Sequence, residues 1–361
     1  MIAIDMDGTL LGDDGCVSPR NLSALRAAQA AGIEIVVATG RRHSYALHVL
    51  RPLGLDPSSV LISSNGTVTR TLGSHSPGSE PVPSQLIART YLPRATALWL
   101  CGHVDEFRNA LVLTFDRVGP DGDDVRGALV VEHLDELNAS IGRWMAANEP
   151  YIAHVNPIES ALVSDANADG SNPGGLNPNE PIQAMLCGTL DRMRRAEARL
   201  LEHPGVIASG HPSGRSGRTM NGDGVLPKTP GGPSFPASSQ RVGSKTSEPQ
   251  REPAPILALN RTDYPNRDLS ILDILPAGCS KGAALLSLAA TRGIDPSRIL
   301  AIGDNWNDVS MLEAAGAALL MDNAPEDLKV LARACGWRIG PSNSADGVAD
   351  AIESALAAAS Q

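Results

Sequence analysis

Met1-Ile-Ala-Ile-Asp5-Met-Asp7-Gly-Thr9-Leu10 is a short apolar run that empties into two carboxylates one residue apart. An unbroken apolar run of this length predicts a strand buried on both faces. Successive side chains of an extended chain point to opposite sides, so Asp5 and Asp7 should share a side just past the strand's end. Two like charges that close repel, unless a cation lies between them or one keeps its proton. Gly8 lets the backbone turn sharply there and come close to a ligand. Alone, D-x-D-G reads as an acidic turn after a strand. The rest of the chain changes that reading.

Ile33-Glu-Ile-Val-Val-Ala-Thr39-Gly40 and Val60-Leu-Ile-Ser-Ser-Asn65-Gly66 are further buried-strand signals, the first followed by a helical pattern over 41–53. Near the C-terminus, Arg298-Ile-Leu-Ala-Ile-Gly303-Asp304 precedes a helix and Ala317-Ala-Leu-Leu-Met321 follows it. Strands alternating with helices predict an α/β fold, a Rossmann-like parallel sheet with helices on both faces. Ligands of such sheets bind beyond the carboxyl ends of the strands. Asp5, Thr39 and Asp304 all fall at such ends.

Residues 84–276 read differently and predict an α+β cap inserted between two halves of the sheet domain, 1–83 and 277–361. A helix is expected over 93–109, strands over 110–116 and 181–187, a helix over 191–203, and strands over 256–260 and 269–275. Polar segments at 70–84, 164–181 and 209–255 interrupt or border the cap. The last is rich in Gly, Pro and Ser and is expected to be a disordered insertion, because it lacks the apolar surface to offset its ordering entropy.

The chain has 361 residues and a net charge of −10, with no basic block, which argues against nucleic acid or an anionic membrane as partner. Aromatics make up only 3%, too few for base-stacking platforms. No apolar run approaches the ~20 residues of a membrane span, and the opening strand lacks the basic start of a signal peptide. Five scattered cysteines with no C-x-x-C suit a reducing cytoplasm. Neither a P-loop nor a serine nucleophile elbow is present outside the Gly/Ser-rich segment.

Four pieces stand in a fixed order: Asp5-Met-Asp7-Gly-Thr9, Thr39-Gly40-Arg41, Ser280-Lys281-Gly282 and Gly303-Asp304-Asn-Trp-Asn307-Asp308. Asn65-Gly66, Met311-Leu312 and Asp322-Asn-Ala324 support them. The set resembles the haloacid dehalogenase (HAD) phosphatase superfamily, and more closely its Cof-type members with a large cap after the second motif. The resemblance covers residues 1–66 and 271–361; the middle agrees in placement and strand–helix order only.

It implies a Mg²⁺-dependent hydrolase of small phosphorylated metabolites, sugar phosphates first, acting as a monomer or homodimer. Mg²⁺ favours a few carboxylate or carbonyl oxygens with water and phosphate. Asp5 and Asp304 are expected to supply side-chain oxygens and Asp7 its backbone carbonyl. Asp308 is expected to join through water or to hold the others in place. Asp5 is the expected nucleophile, giving an aspartyl-phosphate, and Asp7 the general acid and base. Thr39 would hold a phosphoryl oxygen and Lys281 would oppose the transferring charge. Asn307 would orient Lys281 or the phosphate, with Gly40, Arg41, Asn65 and Gly66 bordering the substrate. Taken alone, Lys281 reads as a solvated lysine, and Arg41 and Arg42 as surface or phosphate-steering charges. A phosphomutase on the same core, or a catalytically silent regulator that kept the fold, are the alternatives.

Overall fold

The computed structural model describes residues 1–74, 82–119, 122–163, 179–208 and 254–359. The expected disordered insertion therefore falls almost wholly outside the described residues. Strands β1 (Ile2–Asp5), β2 (Ile35–Ala38) and β3 (Val60–Ser63) are each buried at all four positions. Their side chains serve two cores. Ile2, Ile4, Ile35 and Val37 pack with helices α1 (Pro19–Ala30), α2 (His43–Leu50) and a C-terminal helix over 347–359. Ala3, Val36, Ala38 and Ile62 pack on the other face with Leu285, Met311 and Leu328. That is why these strands carry no polar alternation. Each fully buried Ile or Leu contributes roughly 1.5–3 kcal/mol of transfer free energy.

The chain continues from β3 into β4 (Val68–Thr71) and β5 (Leu86–Arg89), both antiparallel. The cap strands follow: β6 (Leu111–Thr114), β7 (Leu129–Val131), β8 (Ile152–His154), β9 (Gln183–Gly188), β10 (Val206–Ala208), β11 (Leu257–Tyr264) and β12 (Leu269–Pro276). The core resumes with β13 (Leu300–Gly303), β14 (Ala317–Met321) and β15 (Arg338–Gly340). The core sheet runs β15-β14-β13-β1-β2-β3-β4-β5 and the cap sheet β10-β11-β12-β9-β6-β7-β8.

β1 pairs in parallel with β2 on one side and β13 on the other. The strand order therefore reverses at β1, the position where open α/β sheets open a crevice for ligands. Asp5, Thr39 and Asp304 end or directly follow these three neighbouring strands.

One boundary differs from expectation. β5 is hydrogen-bonded to β4, so the core extends to Arg89 rather than stopping at 83. The polar 70–84 segment had masked a strand pair whose only apolar signal is short. The cap begins at α3 (Arg94–His103), and the chain returns to the core after Pro276.

The cap sheet has two unlike faces. One packs Leu113, Leu186, Leu272 and Ile274 against α3 and α5 (Leu190–Leu201). The other packs Val112, Val131, Met185 and Cys187 against α4 (Asp135–Asn148), and the part that α4 leaves uncovered roofs the ends of β1, β2 and β13.

Candidate active site

Lys281 is the first residue of α6 (Lys281–Arg292), whose N-cap Ser280 accepts a hydrogen bond from the Ala283 amide at 3.0 Å. Far from being solvated, Lys281 is only 1% exposed. Its Nζ donates to Asp5 Oδ1 at 2.5 Å and Asp308 Oδ1 at 2.6 Å. Burial alone would lower its pKa, but Asp308 and Asp5 outweigh that and raise it, so the ammonium stays charged. Burial, then the Asp308 charge, pushes Asp5 well above the usual carboxylate range, against the pull of Lys281. Burial and then Asp308 push Asp304 up to about 7. Three buried carboxylates around one lysine leave an excess of negative charge.

Gly8 adopts φ +78°, and a Cβ there would lie 2.4 Å from Asp304 Oδ2. The loop after β1 therefore closes over Asp304 only because residue 8 has no side chain. Thr9 Oγ1 donates to Asp304 Oδ1 at 2.8 Å. Asn323, just past β14, donates to the Gly8 carbonyl at 2.7 Å and to Asp304 Oδ2 at 3.4 Å. Thr9 and Asn323 had no role assigned from sequence; their position at strand ends was the available signal.

Asp308 holds the fourth motif in shape. Its Oδ2 accepts from the backbone amides of Asp304 and Asn305, both at 3.0 Å, while Oδ1 takes Lys281. With both oxygens occupied, it fits the supporting half of its expected role. Trp306 packs against the neighbouring apolar cluster.

A cavity of about 480 Å³ lies between core and cap. Asp5, Asp7, Gly40, Arg41 and Asn307 of the expected site line it. Thr39 is fully buried behind it, its Oγ1 accepting from the Arg41 amide at 3.1 Å. Arg41 pairs with Asp7 and stacks over the Tyr45 ring at 4.5 Å.

The partners of Lys281 are carboxylates, so of the two roles expected for Asn307, which lines the cavity, the one toward the phosphate remains. Three expectations are corrected. Gly66 does not border the cavity: at φ +99° a Cβ would stand 2.2 Å from the Ser280 carbonyl, so it is where the second strand-end loop presses on the lysine's own loop. Asn65 is 1% exposed and gives its Nδ2 to Asp273 Oδ2 on the cap at 3.0 Å, tying the two domains. Arg42 is no surface charge. It is buried, paired with Asp124 and Asn148 of the cap and stacked on Tyr151, and burial lowers it to about 10. Sequence adjacency cannot tell Arg41 from Arg42; their different partners and burial do.

Oxygens of Asp5, Asp304 and Asp308 lie within 4.8 Å of one another. An all-oxygen, anionic, buried donor set of this size fits a hard divalent cation such as Mg²⁺. No helix among the described residues is long and apolar enough to cross a membrane.

A family model for haloacid dehalogenase-like hydrolases matches residues 2–89 and 256–352, just over half of the chain. A Bacillus subtilis 5-amino-6-(5-phospho-D-ribitylamino)uracil phosphatase, YwtE, is 26% identical over 98% of this chain and 97% of its own. The B. subtilis phosphatase YwpJ is 28% identical over 92% of this chain and 93% of its own. The structure of a haloacid dehalogenase-like hydrolase from B. subtilis superposes with a TM-score of 0.63 at 22% identity, over 98% of both chains. The matched segments contain both ends of the Lys281–carboxylate cluster and leave the cap's middle unmatched, and on this basis the chain belongs to the haloacid dehalogenase-like hydrolase family, among its Cof-type phosphatases.

Proposed function

We propose that this phosphatase is a Mg²⁺-dependent phosphomonoester hydrolase of small phosphorylated metabolites that works through an aspartyl-phosphate at Asp5. The observation that carries this is the Asp5 carboxylate itself. It ends β1 at the sheet's reversal point, is fixed by Lys281 on one oxygen, and opens onto the cavity. A nucleophile held this way needs little reorganisation to attack phosphorus. Asp5, Asp304 and the Asp7 carbonyl would hold Mg²⁺, which supplies charge neutralisation for the incoming phosphate. Lys281 balances Asp5 and Asp308 before substrate arrives and faces the transferring group afterwards. Asp7, half-exposed on the cavity wall, protonates the leaving oxygen in this reading and later takes a proton from water. Asn307 and the Arg41 guanidinium line the same wall.

The two phosphatase relatives support the hydrolytic outcome, and the phosphorylated ribityl compound in the first one's name is a small metabolite of the proposed kind. Five free cysteines support a reducing, cytoplasmic setting. A panel of phosphorylated metabolites, read by inorganic phosphate release with Mg²⁺ or with chelator, tests the reading. Mg²⁺-dependent release from at least one member is expected. No release from any would sink it.

A further inference from the structure

The cavity roof carries polar groups that phosphoryl transfer leaves unused. Gln183 on β9 stands opposite Thr114 of β6, is 4% exposed and lines the cavity. Its Oε1 has no hydrogen-bond partner among the described residues. An unpaired buried carbonyl oxygen costs about 1–3 kcal/mol, so its presence calls for a donor that arrives with the ligand. Two residues along the same face of β9, Met185 stands opposite Asp273 of β12. Asp273 also lines the cavity, and the one hydrogen bond it accepts among the described residues is Asn65's, on Oδ2. Two residues that carry acceptors thus line the same space from neighbouring strands.

The cations of this wall are already committed. Arg41 pairs with Asp7, and Arg42 with Asp124 and Asn148. Leu129, Trp144 and Ile271 make up an apolar remainder. A leaving group in this space meets two acceptors, one of them a carboxylate outside any ion pair among the described residues. Beside them are neutral groups such as Thr262, Tyr264 and Asn307 and apolar surface, with no cation lacking a partner among the described residues of the lining. A second anion would enter against Asp273, while Arg41 is engaged by Asp7 and the transferring phosphate and Arg42 by Asp124.

Resting on the phosphatase reading, we propose that Gln183 and Asp273 are specificity-determining acceptors. They select phosphomonoesters whose leaving group is uncharged and presents hydroxyl or N–H donors, and they reject leaving groups bearing a carboxylate or second phosphate. Sites built to receive hydrogen bonds discriminate far more sharply than apolar pockets do, because a mismatched ligand leaves the site's polar groups unpaired.

Matched substrates test this: glucose 6-phosphate against 6-phosphogluconate, and glycerol 3-phosphate against 3-phosphoglycerate. Turnover is read on the parent protein with Mg²⁺, and binding by calorimetry on Asp5→Asn protein. In both pairs the neutral member should be favoured by about 30-fold or more in kcat/KM, expressed mainly in KM and in affinity. Asp273→Asn, which keeps an acceptor for Asn65 and removes the charge, should shrink that preference at least about fivefold. Gln183→Met should raise KM for the neutral members about tenfold, the effect of one lost hydrogen bond to a buried partner.

The parent ratio needs no substitution, so a variant that misfolds does not shield the proposal. Hydrolysis of 4-nitrophenyl phosphate reports on the phosphatase reading separately. If it proceeds while both members of each pair react equally well, the acceptor assignment is overturned and the phosphatase reading stands. If it is absent while Asp5→Asn protein still prefers the neutral members, the phosphatase reading falls and the selectivity of the roof is upheld.

Discussion

Strand β1 buries all four of its residues and delivers its chemistry at its last one, whereas β12 buries alternate residues from Leu269 to Asp273 and meets the cavity through Ile271 and Asp273. The first is inserted between two cores and can be functional only at its end. The second has helices on one face and a ligand-sized space against the other. A point fixed by burial tolerates almost no change, because its charges are taken out of water and depend on each other. A surface of alternating residues can be altered one contact at a time. The core should therefore decide whether phosphate is transferred, and the cap which phosphate.

The comparison breaks most visibly at Asp5. Asp5→Asn should lower kcat by about 10⁴-fold or more on every substrate, since the amide is a poor nucleophile and a poor cation ligand. Circular dichroism should show an unchanged fold. Residual activity above a tenth of the parent's would mean the point of chemistry lies elsewhere.

Lys281→Met comes next. It leaves Asp5 and Asp308 buried with no counter-ion, which should cost about 3–5 kcal/mol in urea denaturation without metal and about 10³-fold in turnover. A stability loss below about 1 kcal/mol would show that the pair is solvated, contrary to its burial.

How far these features could be read in the sequence follows the same division. The core strands were legible because burial on both faces leaves continuous apolar runs, and because each run ends in a residue that is costly to bury. The cap was legible where a strand is long or wholly apolar, as in β6, β9, β11 and β12, and where a helix is regular, as in α3 and α5. β7 and β8 have three residues each, too few to show a period. α4 is broken by non-helical dihedrals at Ile141, and no helix was expected there, although it contributes Trp144 and Asn148 to the cavity. Lys281 was identified from its motif, but its burial was not. The carboxylates that permit it lie 276 and 27 residues away, and only the fold brings them together.

Proton competition sharpens the contrast. Asp304 titrates near 7 in the folded chain against 3.8 when unperturbed, and Asp5 is shifted the same way. Between those values the folded state holds a proton that the unfolded state has lost. Metal-free protein therefore loses stability from this group as pH rises from about 4 to 7, by up to about 1.4 kcal/mol per unit. Mg²⁺ must displace that proton, so its apparent affinity should climb with pH by up to about tenfold per unit and level off above about 7. The gap in melting temperature between Mg²⁺ and chelator should widen over the same window. A gap that does not change with pH would place the metal away from Asp304.

The smallest effect should come from the residue that stands between the two regions. Arg41 lies on the cavity wall, its side chain 31% exposed, paired with an Asp7 side chain that is 46% exposed and resting on Tyr45. An ion pair that wet contributes little to folding, because solvent screens it and both side chains lose freedom in forming it. Arg41→Ala should thus leave the urea midpoint almost unchanged. Its catalytic effect should also be modest, since Asp7 has to leave Arg41 whenever it exchanges a proton with substrate or water. What is lost is a positive charge that draws the phosphate dianion into the cavity, a contribution to binding that is equal in ground and transition states. KM should rise about fivefold with kcat within about twofold of the parent, and the rise should fade at high salt. A collapse of kcat at unchanged KM would instead make Arg41 part of the transition-state contacts, moving it from the graded surface of the cap side to the fixed point of the core.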